Sequence, residues 1–196
     1  MPKVSEAHKE EMRRKIRASA KALFLQKGFR AVTMKDIVTA SGLSFGAVYS
    51  YYSNTSDIFL VLKQEEILTD HSHYQLMLTA TNKAEFVGQF LTFLTERLSH
   101  LENTLVPATY DYLTFVAKGA HHTAISDIVY RELEQQIYDV LQQGEKAGLI
   151  NTESIETIAN FLLVYVEGLY FQQAFVDSPP TTKSLKSLGI ILNQIL

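Results

Sequence analysis

The 196-residue chain contains no cysteine, which excludes a disulfide framework, thiol catalysis and cysteine-ligated zinc. Proline is scarce, with four residues in the whole chain, so few positions interrupt a long helix. Long apolar runs are absent as well: the longest covers residues 161–166, far short of the ~20 residues of a membrane-spanning helix. Because no apolar segment of a secretory signal follows Met1, we expect a soluble, cytoplasmic protein.

Charge is distributed unevenly along the chain. The hydrophobic content of 46% is that of a folded globular protein. The net charge of −3 by itself argues against nucleic-acid binding. Residues 1–57, however, have a net charge of +5, whereas residues 58–196 have −8. DNA affinity comes largely from phosphate neutralisation, so the pattern indicates a basic DNA-binding head and an acidic body. We predict that the head domain comprises residues 1–55 and the body domain residues 56–196.

The first helix of the head is predicted to run from about Ala7 to Lys27. Gly28 follows it and is suited to the position after a helix C-terminus, where a positive φ is common. One apolar stripe at helical spacing supports the helix and comprises Ile16, Ala20, Leu23 and Phe24.

A helix, a glycine-containing turn and a second helix come next, which is the helix-turn-helix arrangement. Thr33 can cap the second helix while Asp36 reaches back, as in a capping box. Residues 41–43 form the turn, in which Gly42 permits a positive φ. Ser44 is the candidate N-cap of the third helix.

The third helix is predicted to enter the major groove, where its first residues would face base edges. On that geometry Ser44 and residues 45–47 face DNA, and Val48 packs inward. Apolar side chains contact thymine methyl groups but form no bidentate bonds to guanine, and residues 44–50 contain no Arg, Asn or Gln. Direct base readout by this helix is therefore limited.

The body shows helical patterns throughout and no alternating strand pattern, so we predict an all-α fold. A fourth helix is predicted to begin at residues 54–57. The last two helices, residues 153–176 and 182–196, are apolar on more than one face. This favours a subunit interface formed as a four-helix bundle across a two-fold axis, over the alternative that both helices lie in the core of a monomer.

The motif residues from Gly28 to Ile58 resemble the signature of the TetR family in one register. The matching residues are Gly28, Phe29, Val32 to Ile37, Ala40 to Tyr52, Asn54 and Ile58. The resemblance implies a helix-turn-helix DNA-binding head and a helical ligand-binding and dimerisation body. It also implies a homodimeric repressor that binds a palindromic operator and is released by a small molecule. The body of such proteins varies widely, so the resemblance does not identify the effector.

The resemblance also implies roles for individual residues. Thr33 matches a position that caps the second helix and contacts a phosphate, and Lys35 matches one that reaches DNA from that helix. Because residues 44–50 limit direct readout, we hypothesise that Lys35, together with DNA shape, supplies more of the specificity than usual. Tyr49 and Tyr51 match aromatic positions whose hydroxyls bond phosphates. The base-contacting positions of the family are matched by Phe45, Gly46 and Ala47.

The sequence departs from the family pattern at one further phosphate-contacting position. Thr55 stands where the family usually has a lysine, so we expect weaker non-specific binding and a shallower salt dependence. The first helix offers five cations, which form either a solvated face or, as the charge asymmetry favours, a phosphate-attracting one. They are Lys9, Arg13, Arg14, Lys15 and Arg17.

Metal and cofactor sites are not predicted. Glu66, Asp70 and His73 share one helical face, but a solvated face is the favoured interpretation. His121 and His122 are adjacent, so on a helix their side chains diverge. Buried aromatic and polar groups suit a small-ligand pocket in the body, and the candidates are Phe90, Tyr110, Phe115, His121 and Tyr165.

These observations support three functional hypotheses to different degrees. The leading hypothesis is a ligand-released repressor. The second is a DNA-binding protein of the same fold whose body docks a protein partner. The third is a helical enzyme, which the lack of any recognisable nucleophile–base set, phosphate loop or metal motif disfavours.

Overall fold

The computed structural model describes residues 5–116, 122–179 and 181–196, with side chains at all of these positions except 70–73, 116, 122–129 and 132. Regular structure within these ranges is helical and contains no strand, which confirms the all-α prediction. None of these described helices is both long and apolar enough to cross a bilayer. The helices are α1 (Glu6–Lys27), α2 (Met34–Ser41), α3 (Phe45–Tyr49), α4 (Thr55–Met77), α5 (Lys83–Ser99), α6 (Val106–Val116), α7 (His122–Lys146), α8 (Ile155–Phe175) and α9 (Thr181–Ile195), with a 3-10 turn at Leu101–Asn103.

The chain forms two compact units, which we call the head unit and the body unit. The head unit comprises Met1–Glu66 and Glu102–Ile125, and the body unit comprises Ile67–Leu101 and Ser126–Leu196. The head unit therefore includes more of the chain than residues 1–55. The functional division into a DNA-binding domain, 1–55, and a ligand-binding and dimerisation domain, 56–196, stays a prediction.

The core of the head unit is built around aromatic rings. The Phe59 ring centroid lies 5.2 Å from that of Phe24, 5.1 Å from that of Phe29 and 5.1 Å from that of Tyr112. Edge-to-face and offset packing at such distances adds to the stabilisation from burial alone. The predicted stripe of α1 faces this core: Ile16, Ala20 and Phe24 are buried, and Leu23 packs against them.

Helix α6 belongs to the head unit, although it is distant from the motif in sequence. Its buried face places Ala108 and Tyr112 in the aromatic core, together with Leu105, which immediately precedes the helix. The Asp111 carboxylate accepts a hydrogen bond of 2.7 Å from the backbone N–H of Arg30, just after α1. Both contacts are long-range in sequence, and they attach α6 to the N-terminal helices of the head unit.

The body unit is centred on α5, α8 and α9. Leu188 and Leu192 of α9 are fully buried. Between them, a Cβ atom added to Gly189 would lie 2.9 Å from Leu91 Cδ1, so glycine allows α9 to approach α5 closely. The Tyr165 hydroxyl donates a 2.9 Å hydrogen bond to the Ser184 carbonyl and fixes the connection between α8 and α9.

Candidate nucleic-acid interface

Helix α2 begins with the capping box that the sequence predicts. The Asp36 N–H donates to Thr33 Oγ1 at 3.2 Å, and the Thr33 N–H donates to Asp36 Oδ2 at 2.9 Å. The hydrogen bonds from the Thr33 hydroxyl and backbone N–H hold the pKa of the Asp36 carboxyl below its usual value. The stabilisation by this carboxylate is therefore present above the pKa of the unfolded carboxyl and is lost as pH falls through the lower folded value.

Removing the Thr33 side chain tests this cap. Thr33→Ala should lower the free energy of unfolding of the protein by about 1 kcal/mol, because the N–H of Asp36 loses its acceptor. Chemical denaturation followed by circular dichroism measures the loss. Thr33→Ser is the control, since its hydroxyl restores the cap; equal destabilisation by both substitutions would contradict the role of the hydroxyl.

The turn and the third helix also follow their sequence signals. Gly42 adopts the left-handed conformation with φ of 64°. Ser44 is the N-cap of α3, and its hydroxyl oxygen accepts a hydrogen bond of 3.2 Å from the Ala47 N–H. Val48 is fully buried in the head core, as predicted. The buried Val48 fixes which face of α3 points outward.

The outward face of α3 is aromatic. Phe45 and Tyr49 are 51% and 50% exposed, and their rings stack at 6.4 Å with an interplanar angle of 14°. A Cβ atom added to Gly46 would meet nothing within 4 Å, so the helix surface at Gly46 is open. The Tyr49 hydroxyl is the single polar side-chain group of the helix. This surface can make apolar contacts to bases but offers almost no hydrogen bonds.

The segment after α3 is anchored to α1. The guanidinium carbon of Arg13 lies 5.6 Å from the centre of the Tyr51 ring. Arg17 Nη1 donates to the hydroxyl of Tyr52, which is buried, at 3.3 Å. Helix α4 then starts at Thr55, and its first turn is capped by Asn54, whose side-chain oxygen accepts from the Asp57 N–H at 2.9 Å.

The structure places all the predicted DNA-contacting residues in the head unit. Thr33 and Lys35 lie at the exposed start of α2, Thr55 is half-buried at the start of α4, and the remaining six lie at or next to α3. Those six are Ser44, Phe45, Gly46, Ala47, Tyr49 and Tyr51. Their roles in contacting DNA remain predictions.

The cations of α1 differ in their surroundings. Lys9 pairs with Glu6 at 2.7 Å, whereas Arg14 and Lys15 are exposed. Arg17 pairs with Glu10 at 2.7 Å and with Glu65 at 2.8 Å. Sequence reasoning missed these pairs, although Glu10 precedes Arg17 by two helical turns and that spacing was visible.

An apolar cavity lies within the body unit. Its lining residues include Phe90, Tyr74, Met77 and Leu162. The exposed lining is entirely apolar, and the space admits about one water-sized sphere. The unoccupied space is thus narrow.

The other pocket candidates lie elsewhere. Tyr165 is engaged with Ser184, as described above. Tyr110 and Phe115 belong to α6 in the head unit, where Phe115 is exposed and lies under the Arg30 guanidinium. His121 lies outside the described residues.

No group of three metal-ligating side chains occurs among the residues whose side chains are described. Glu66, one of the metal-ligand candidates from the sequence, is among the residues whose side chains are described. Its carboxylate accepts hydrogen bonds from the Lys63 ammonium at 2.7 Å and from the Leu105 N–H at 2.8 Å. The side chains of Asp70, His73 and His122 lie outside the described part.

Residues 16–62 match the family described as bacterial regulatory proteins, tetR family. The chain is 30% identical over 193 residues to the uncharacterized HTH-type transcriptional regulator YfiR of Bacillus subtilis, with 94% of this chain and 93% of YfiR covered. A TetR-family regulator from Pectobacterium atrosepticum has a similar structure, with a TM-score of 0.74, 17% identity and coverage of 98% and 97%. A complex of SmeT with triclosan is also similar, with a TM-score of 0.66, 16% identity and coverage of 92% and 90%.

Proposed function

Because the chain belongs to the TetR family of bacterial transcriptional regulators, we propose that it is a homodimeric repressor. In this proposal it binds a palindromic operator through α2 and α3 and leaves the operator when a small molecule binds the body unit. The observation that supports DNA binding most directly is the capped helix-turn-helix, whose third helix is fixed by buried Val48 and presents Phe45 and Tyr49 outward. The proposal assigns no catalytic activity and implies a cytoplasmic location, where operator DNA lies.

Dimerisation is proposed to use α8 and α9. On α8, Val164 and Phe171 are largely exposed and lie seven residues apart, on one face of the helix. Ile190 of α9 is exposed as well. Pairing of two such helices with their copies would bury these side chains in a four-helix bundle. A two-fold dimer would place two recognition helices about 34–36 Å apart, as successive major grooves require.

The effector is proposed to be a small, mainly apolar molecule. The support is the apolar cavity lined by Phe90 and Leu162 in the body unit, together with the triclosan bound to the structurally similar SmeT. Release of DNA requires that the effector bind better to a conformation in which the two heads are wrongly spaced than to the DNA-competent one. A wider cavity in that conformation would provide such a difference in affinity.

Selection of binding sites from a random duplex DNA pool, at two salt concentrations, tests the proposed function. Recovery of one palindromic sequence at both concentrations is the expected result, and it supplies the probe for effector screening. Recovery of no consensus, with binding lost as salt rises, would mean that the head attracts phosphates without recognising sequence. That outcome would contradict operator binding.

Lys35→Ala tests the hypothesis that this exposed cation of α2 contributes sequence specificity. Substitution should relax the base preference at the operator positions nearest α2, because apolar α3 leaves few other hydrogen-bond donors. Quantitative binding to a set of single-base operator variants measures the preference. Lys15→Ala, at an exposed position of α1, is the control for a lost charge. If affinity falls by the same factor on every sequence, Lys35 contacts a phosphate instead of a base.

A further inference from the structure

An ionic cluster joins three parts of the head unit; we call Glu10, Arg13, Arg17, Tyr52 and Glu65 the Arg17 clamp. Arg17 Nη2 donates to Glu10 Oε1 at 2.7 Å, and Arg17 Nε to Glu65 Oε1 at 2.8 Å. Arg17 Nη1 reaches the Tyr52 hydroxyl at 3.3 Å. The other carboxylate oxygen of Glu10 pairs with Arg13 Nη1 at 3.3 Å. The clamp therefore connects α1, α4 and the segment that follows α3.

Arg17 is poorly placed to attract phosphate. Its side chain is only 14% exposed, and three of its N–H directions are used by Glu10, Glu65 and Tyr52. Two carboxylates oppose its single charge. The charge pattern of the sequence favoured a phosphate-attracting role for Arg17, whereas these contacts indicate a structural use of its planar, five-donor group.

Helix α3 needs outside support because it has only five residues. Helices this short are not stable by themselves, so their orientation depends on what holds their ends. The buried Val48 packs α3 against the head core. Beyond the helix, Tyr52 is held by Arg17 and the Tyr51 ring lies beneath Arg13.

We propose that Glu10 and Arg17 are positioning residues for operator binding, which hold the end of α3 so that its aromatic face meets the groove. This inference rests on the proposed operator-binding function. It has a consequence that electrostatics alone would not produce. Glu10 is a negative charge on the head unit, for which we propose binding to a polyanion, so charge alone predicts tighter binding without it. Positioning predicts weaker binding without it.

Three variants separate the two effects: Glu10→Ala, Arg17→Ala and the double substitution. Glu11→Ala is the matched control, because Glu11 is the next residue of α1, is comparably exposed and lies outside the clamp. Binding to the selected operator is measured by fluorescence anisotropy. We expect Glu10→Ala to weaken binding by about threefold or more, as for lost hydrogen bonds between charged groups, while Glu11→Ala leaves it equal or tighter.

The double variant gives the sharpest contrast, because its net charge equals that of the wild type. Positioning predicts that it binds about as weakly as Arg17→Ala, since both single changes remove the same interaction. Independent electrostatic effects predict that the two changes cancel and that wild-type affinity returns. Return of wild-type affinity, or tighter binding by Glu10→Ala, would overturn the proposal.

The salt dependence of binding distinguishes positioning from a direct phosphate contact. Each lost phosphate contact reduces the steepness with which log affinity falls against log salt by about 0.9. We expect the slope of Arg17→Ala to stay at the wild-type value, because Arg17 contacts no phosphate. We also expect the loss to be larger on the operator than on unrelated duplex DNA. A less steep salt dependence, together with an equal loss of affinity on both DNAs, would overturn the proposal.

Tyr52→Phe keeps the test available if Arg17→Ala does not fold. It removes only the hydroxyl that Arg17 Nη1 contacts and leaves every charge in place. We expect weaker operator binding at an unchanged salt slope and a thermal midpoint close to that of the wild type; unchanged operator affinity would contradict positioning through Tyr52. If the wild-type protein selects no operator, the proposed function fails. If it selects one and Glu10→Ala tightens binding, only the inference fails.

Discussion

Val164→Glu is expected to convert the dimer into monomers and to weaken operator binding by on the order of 10²-fold or more. Val164 is 65% exposed on α8, so glutamate at this position does not disturb the core of the body unit. In the proposed four-helix bundle, however, the carboxylate would be buried without a partner, which is strongly unfavourable. Operator affinity falls because two linked heads bind one palindrome far more tightly than either head alone.

Sedimentation velocity measures the oligomeric state, and anisotropy with the full palindrome measures the affinity. Leu68→Glu is the matched control, since Leu68 is 69% exposed on α4 and lies outside the α8 and α9 face. It should remain dimeric and bind the operator normally. If Val164→Glu stays dimeric with full affinity, the dimer forms through another surface and the proposed interface is wrong.

Phe59→Ala is expected to destabilise the head unit by about 3–5 kcal/mol. Phe59 is 1% exposed, and its ring packs against Phe24, Phe29 and Tyr112 within 5.2 Å. Truncation leaves a cavity that three aromatic neighbours cannot fill by small shifts. A loss of this size is a large fraction of the ~5–15 kcal/mol that holds a domain together. Urea denaturation of the purified protein measures it.

Phe45→Ala makes the same chemical change on the outward face of α3 and should produce the opposite phenotype. Because Phe45 is half exposed, the free energy of unfolding should stay within about 0.5 kcal/mol of the wild type, while operator binding weakens. If Phe45 presses on thymine methyl groups, replacing the operator thymines by deoxyuridine weakens the wild type but not Phe45→Ala. Equal destabilisation by Phe45→Ala and Phe59→Ala would contradict these placements.

Most of the motif could be predicted from the sequence because its signals are local. The stripe of α1 depends on residues three and four positions apart, and Ile16 and Phe24 are buried as predicted. The Thr33 cap and the Ser44 cap each bond a residue three positions later. The positive φ at Gly42 is a property of one residue, and the glycine itself indicates it. Interactions within one helical turn join residues at most four positions apart, so a single sequence shows both partners close together.

The sequence by itself thus determined the helical class, the helix-turn-helix and the outward aromatic face of α3. Tertiary structure decided which distant residues meet. The pairing of Arg17 with Glu65 and the packing of Leu105 and Tyr112 of the α6 segment in the head core link residues that are dozens of positions apart. No periodic pattern encodes such pairs, because they depend on how whole helices pack. For the same reason, aromatic composition made Phe90 and Phe115 equally plausible as pocket residues, and only the tertiary structure shows that Phe90 lines the body cavity while Phe115 lies under Arg30.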